Sequence, residues 1–244
     1  MRKLTLAERL IVGADYKPVG PDGREWVRTK VLKLADQISG TGVYMKVNSA
    51  LRACGYGLID EIHARGIKVF ADLKLDDIKE TLTIDGILLR EAKPELLTVK
   101  CTAGIASMQA LKNELPDTEI LGVSVLTNLT EEDVMAMFIC SREEAVMRLS
   151  AFGAAAKIDG FISSAKEVDI LRSGFGLSMS INTPAIRPKW AIVPGDDQNK
   201  NLIVTPAEAI IAGADRIVVA RPIILAENPY DAVMWTLEEI ASVA

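Results

Sequence analysis

Eight short apolar runs rich in β-formers alternate with helix-patterned segments, and this alternation limits what the chain can fold into more than any other feature. The runs are LIVGA (10–14), VYMKV (43–47), IKVFADLK (67–74), LLTV (96–99), ILGVSVL (120–126), GFISS (160–164), SMSIN (178–182) and RIVVA (216–220). Helical patterns fill the intervals, among them EWVRTKVLKLADQI, ALRACGYGLIDEIHA and the long EEDVMAMFICSREEAVMRLSAFGAAA. Alternating strands and helices imply a parallel sheet. Eight such units in 244 residues is the count of a (β/α)8 TIM barrel. A doubly wound open sheet is the runner-up. It fits less well, because no GxGxxG follows the first run, where LIVGAD leads straight into KPVGPDGRE. No linker or low-complexity stretch divides the chain, so a single domain over 1–244 is expected. The Pro/Gly-rich stretch PAIRPKWAIVPGDDQNKN (184–201) is too long for an ordinary βα loop and reads as one that closes over a ligand.

In a barrel, chemistry sits at the C-terminal ends of the strands. Here that rule selects Asp15 after the first run, Lys46 in the second, and Asp72 and Lys74 at the end of the third. It adds Lys100, Thr127, Asn128, Ser164 and Arg221 after later runs. The third run is the most telling. FADLKLDDIKET places Asp72, Lys74, Asp76 and Asp77 within six positions, and alternation puts Asp72, Lys74 and Asp76 on one side if the strand continues. Burying such a row is costly unless the charges satisfy one another. A solvated salt-bridge cluster accounts for any one of these residues. It accounts poorly for Asp15, Lys46, Asp72, Lys74 and Asp77 converging on one rim.

A lysine between carboxylates is held as an ammonium ion, a charged proton donor. A substrate carboxylate about 4 Å from Asp72 would meet roughly 4 kcal/mol of repulsion at an effective dielectric of 20. That repulsion fades as the carboxylate leaves as neutral CO2. The Lys74 ammonium would stabilise and then protonate the carbanion left behind, and this preorganised stabilisation carries more weight than ground-state repulsion. At the other end of the rim, Arg221 follows the eighth run at once, and the loop after the seventh run supplies Arg187 and Asp197-Gln198. Cationic groups on these two exits suit a phosphate, which barrels often hold there.

Composition removes other classes. A net charge of −5 argues against a nucleic-acid binder. The odd number of cysteines (Cys54, Cys101 and Cys140), with no CxxC, argues against a disulfide framework or zinc site and points to a reducing cytoplasm. Glu8 and Arg9 interrupt any apolar core of a leader at the N-terminus, and no run reaches the roughly 20 residues of a membrane span. His63 is the single histidine and falls at a helical C-terminus. Catalysis by Ser–His or Cys–His pairs, or by a histidine metal centre, is therefore not expected.

These residues resemble the orotidine 5′-monophosphate decarboxylase family over essentially the whole chain. Its D-x-K-x-x-D-I-x-x-T motif is matched by Asp72, Lys74, Asp77, Ile78 and Thr81. Asp15, Lys46, Leu126-Thr127, the segment Thr183-Pro184-Ala185-Ile186-Arg187-Pro188, Asp197-Gln198, TPAEAI (205–210) and Val218-Val219-Ala220-Arg221-Pro222-Ile223 match further segments in order. The resemblance implies conversion of orotidine 5′-monophosphate (OMP) to UMP and CO2, with no metal or organic cofactor. It makes Lys74 the proton donor to C6, sets Asp72 against the leaving carboxylate, and sends Asp77 into the partner's site of a homodimer. Asp15 and Lys46 would bind ribose hydroxyls and Thr127 the base. Gln198, Arg221 and the Ala220 backbone, with Arg187 beside them, would hold the phosphate. Ile78, Thr81 and Pro184 complete the substrate-binding set.

There are departures from the pattern. Ala185 and Ala220 stand where many members have glycine, so their backbones are expected in a region open to alanine. Asp76 and Lys100 each replace a common histidine, and the added Asp76 charge is expected to alter the balance at Lys74. Two other readings share parts of the pattern. Mg2+-dependent sugar-phosphate decarboxylases and hexulose-phosphate synthases resemble the chain at Asp72, Lys74 and Asp77 only. A non-catalytic nucleotide-binding barrel would bind ligand without turnover.

Overall fold

The computed structural model describes residues 3–192 and 204–243. Eight parallel strands close into a barrel in chain order, as the alternation predicts: β1 (Leu10–Gly13), β2 (Tyr44–Val47), β3 (Lys68–Leu75), β4 (Leu96–Lys100), β5 (Glu119–Val123), β6 (Gly160–Ile162), β7 (Ser180–Thr183) and β8 (Arg216–Val219). β8 returns to β1, with Ile11 opposite Val218. Helices cover the outside: α1 (Gly23–Gln37), α2 (Ser49–Cys54), α3 (Gly57–His63), α4 (Lys79–Ala92), α5 (Ile105–Glu114), α6 (Glu131–Phe138), α7 (Arg142–Ala155), α8 (Val168–Phe175), α9 (Pro206–Ile211), α10 (Arg221–Ile224) and α11 (Pro229–Ala241). Among the described residues, no helix is long and apolar enough to cross a membrane.

Two apolar bodies follow from strand alternation. The larger lies between barrel and helices and includes Val12, Met45, Val69, Leu97 and Val219. The smaller fills the barrel with Ile11, Tyr44, Phe70, Leu96, Leu121 and Val218. Below this plug, at the N-terminal mouth, the buried Arg216 guanidinium donates to both Glu119 oxygens and to Asn182, and lies 5.4 Å from the Tyr44 ring. Above the plug the next inward layer is charged, and that layer is the rim.

Two helical patterns break where the sequence alone suggested continuity. The segment 131–156 forms α6 and α7, because Ile139 turns left-handed (φ 56°) and Ser141 starts a new helix through a capping box with Glu144. The ALRACGYGLIDEIHA segment forms α2 and α3, interrupted at Gly55-Tyr56.

Candidate active site

β3 carries the central residues. Its start is an ordinary buried strand, with Val69, Phe70 and Ala71 fully covered. Its end is not. Ala71 pairs with Leu97 and Leu75 with Val99, so Asp72, Leu73 and Lys74 together face the single residue Thr98. Lys74 takes φ 49°, the left-handed region, which costs an L-residue about 1–2 kcal/mol. The kink folds the lysine back, and Lys74 Nζ donates to Asp72 Oδ1 and Oδ2, both at 2.7 Å. Asp76 therefore does not continue the row, as a straight strand would have required. Its carboxylate turns outward to Lys100 Nζ (2.9 Å) and Thr102 Oγ1 (3.0 and 3.1 Å). The two positions where histidine is common thus pair with each other, and the expected excess of charge beside Lys74 is neutralised locally.

On the neighbouring strands, Lys46 Nζ donates to Asp15 at 2.8 and 2.9 Å and lies 3.5 Å from Asp72 Oδ2. Charge alternates along Asp15, Lys46, Asp72 and Lys74, so a row that would be prohibitive as separate buried ions is satisfied internally. Asp72 is the most enclosed of the four, its side chain 9 % exposed. Burial pushes its carboxyl up. The Lys46 and Lys74 charges, with hydrogen bonds from Lys74 and Thr98, outweigh burial and hold it below the usual carboxylate range.

These groups line a cavity of about 240 Å3 at the C-terminal mouth. Asp15, Lys46, Asp72, Lys74, Thr127, Pro184, Arg187, Ala220 and Arg221 all face it, so nine of the expected residues come together. Asp77, Ile78 and Thr81 do not line it: Asp77 and Ile78 are exposed, and Asp77 accepts the Ile78 N–H at 2.7 Å. Gln198 and Asp197 lie outside the described residues, as does the second half of the 184–201 loop. The stem of that loop is described: Ile186 bridges Val204, and Arg187 N–H donates to Val204 O at 3.0 Å. Trp190 packs edge-on against Trp235 of α11 at 5.6 Å, away from the ligand space.

The two alanine departures behave differently. Ala220 keeps a negative φ (−113°), as expected. It fits because Gly13 faces it, where an added Cβ would meet the Ala220 Cβ at 2.8 Å. Ala185 does not follow the expectation: its φ is +63°, so alanine sits in the region that favours glycine. The paired loop stem on its C-terminal side holds it there.

The sequence reading missed the cavity's apolar floor, formed by Phe70, Val123, Ile162 and Val218. It also missed Thr98, which is fully buried beneath the tetrad. In the sequence, Phe70 and Val218 look like any other plug residue. Thr98 had a signal: it is the one polar residue inside the apolar run LLTV. Cys101, beside the rim, is buried, and burial pushes its thiol up to about 12, so it packs as an apolar group.

Fold and rim together are those of a (β/α)8 barrel enzyme, with charged groups at the C-terminal mouth. A family model described as "Orotidine 5′-phosphate decarboxylase / HUMPS family" matches residues 8–234. An orotidine 5′-phosphate decarboxylase of Saccharophagus degradans is 34 % identical over 217 residues, covering 86 % of this chain and 88 % of that one. Another, of Syntrophus aciditrophicus, is 34 % identical over 244 residues, covering 96 % and 93 %. The crystal structure of orotidine 5′-phosphate decarboxylase from Lactobacillus acidophilus superposes with a TM-score of 0.77 at 26 % identity, covering 96 % of this chain and 99 % of that one. The chain belongs to the orotidine 5′-phosphate decarboxylase / HUMPS family.

Proposed function

We propose that the protein is an orotidine 5′-monophosphate decarboxylase, a carboxy-lyase of de novo pyrimidine biosynthesis that needs neither metal nor organic cofactor. The observation that carries this reading is the alternating tetrad Asp15–Lys46–Asp72–Lys74 set directly above an apolar floor. The pyrimidine lies over Phe70, Ile162 and Val218, with Thr127 at its edge. Asp15 and Lys46 take the ribose hydroxyls. Arg187 and Arg221, with the Ala220 backbone, Pro184 and Gln198, take the phosphate.

The C6–carboxylate bond breaks beside Asp72, and its electron pair stays on C6. CO2 leaves, and Lys74 passes a proton from its ammonium to C6. Solvent then reprotonates the amine. Asp72 holds Lys74 against the reacting carbon, and its own ionised form gives the leaving carboxylate an unfavourable neighbour. Phosphate contacts far from C6 provide binding energy that closes the 184–201 loop and organises the site.

The working unit of this proposal is a homodimer in the cytoplasm. Asp77 extends toward the partner's cavity, with Ile78 and Thr81 beside it. Two observations support this. Asp77 is exposed and does not line its own cavity, and next to it α4 exposes Ile84, Ile87 and Leu88 on the face opposite its buried Leu82 and Leu89. Such an apolar face beside a functional loop suits a subunit interface. Three unbridged cysteines suit a reducing compartment.

The test is the loss of OMP absorbance on adding purified protein with EDTA present, together with product analysis. Equal amounts of UMP and CO2 are expected. Turnover that requires added Mg2+ and spares OMP would favour the sugar-phosphate enzymes instead. Binding of UMP without turnover would favour a nucleotide-binding barrel.

A further inference from the structure

We propose that Thr98 is a positioning residue for the decarboxylation, its hydroxyl fixing the Lys74 side chain against Asp72. This rests on the reading of Lys74 as the proton donor. Between the pairs Ala71–Leu97 and Leu75–Val99, β3 has Asp72, Leu73 and Lys74 where β4 has only Thr98. The regular ladder therefore leaves the Lys74 N–H without a backbone acceptor on β4. Thr98 Oγ1 supplies one, accepting that N–H at 2.8 Å. The same hydroxyl donates its hydrogen to Asp72 Oδ1 at 2.9 Å. One fully buried side chain thus holds both members of the pair.

The consequence is geometric. Lys74 reaches Asp72, two residues back in its own strand, because its backbone turns to φ 49°. A positive φ in a lysine persists only where its surroundings impose it, and the N–H···Oγ1 bond is the contact made at the turn itself. Without the hydroxyl, the buried N–H and one Asp72 lone pair lose their partner. The lysine, whose side chain is 29 % exposed, then has solvent as an alternative to Asp72. A hydroxyl is needed rather than bulk, because it must accept on one side and donate on the other. Valine matches threonine in shape and does neither.

The experiment compares wild type, Thr98→Val and Thr98→Ser in kcat and KM for OMP with EDTA present, and adds a crystal structure of the valine variant. Thr98→Val is expected to lose about 30- to 100-fold in kcat, the range for groups that orient a reacting side chain. Its KM is expected to stay within about 3-fold, since substrate binding is made elsewhere. Thr98→Ser is expected within about 3-fold of wild type, and the valine structure to show Lys74 Nζ released from its two-oxygen contact with Asp72. Should the valine variant not fold, Thr98→Ala, which also lacks the hydroxyl, replaces it in both measurements. Any one of three results overturns the proposal: near wild-type kcat without the hydroxyl, an equal loss in the serine variant, or an unchanged Lys74–Asp72 contact in the crystal. If wild type itself fails to decarboxylate OMP, the functional reading falls, while the crystal structure still decides the role of Thr98.

Discussion

At the scale of single residues, the site is a problem in burying charge, and the solution is alternation. Each cation of the tetrad has a carboxylate on at least one side, and Asp72, the most enclosed, has a cation on both. Every member was legible in the sequence, because charged residues at strand ends are conspicuous against apolar runs. What was not legible is backbone conformation. Lys74 at φ 49° and Ala185 at φ 63° carry no compositional mark, since neither is glycine or asparagine. The Asp76–Lys100 pair was equally hidden: both residues were visible, but their contact spans two strands. Ala185 gives a direct check. At φ +63° its Cβ crowds the following carbonyl, so Ala185→Gly is expected to stabilise the protein by about 1 kcal/mol, or roughly 2–4 °C in Tm. Calorimetry of the two proteins measures it, and a lower Tm for the glycine variant would show that the loop stem holds alanine without strain.

At the scale of elements, seven of the eight strands fell within two residues of the apolar runs at both ends, because period and β-branching speak together there, and β5 ends at Val123, three residues before its run does. Helix breaks were read less well. Periodicity runs across 139–141, and it is the capping pair Ser141–Glu144 that divides the segment. A tie between elements was also unforeseen. His63, at the end of α3, bonds Glu95 Oε2 at 3.1 Å, and the same oxygen accepts the Val69 N–H of β3 at 2.6 Å. The Glu95 hydrogen bond raises the His63 pKa and outweighs burial, which lowers it. A raised folded-state pKa gives stability that is complete below the unfolded value near 6.5 and is lost as pH rises through the folded value. Tm is therefore expected to fall with pH above about 6.5 more steeply in wild type than in His63→Gln, by under about 2 °C for this half-exposed pair. Melting curves across that range check it, and parallel slopes would remove the pair from the account.

At the scale of the whole molecule, the barrel and its cavity were predictable from one chain, and Asp77 was not explained by one chain. Nine expected residues meet in the cavity, while Asp77, Ile78 and Thr81 sit outside it beside an apolar helix face. The proposed composite site would account for both facts. Leu88→Glu with Ile84→Glu places two charges on that face and is expected to convert a dimer to monomers in sedimentation at micromolar concentration. It is also expected to cut kcat/KM by at least about 100-fold, because each cavity loses the partner's Asp77. A wild-type monomer, or a fully active monomeric variant, would contradict this.

The central claim is that Lys74 protonates the carbanion left by CO2, and the most direct measurement is OMP turnover by wild type and Lys74→Ala side by side, with UMP binding measured for both. The account predicts cofactor-free turnover by wild type, a loss of at least about 10^4-fold in kcat for the variant, and UMP affinities within about 10-fold of each other. A Lys74→Ala enzyme that binds UMP and still decarboxylates OMP at near wild-type rate would contradict it.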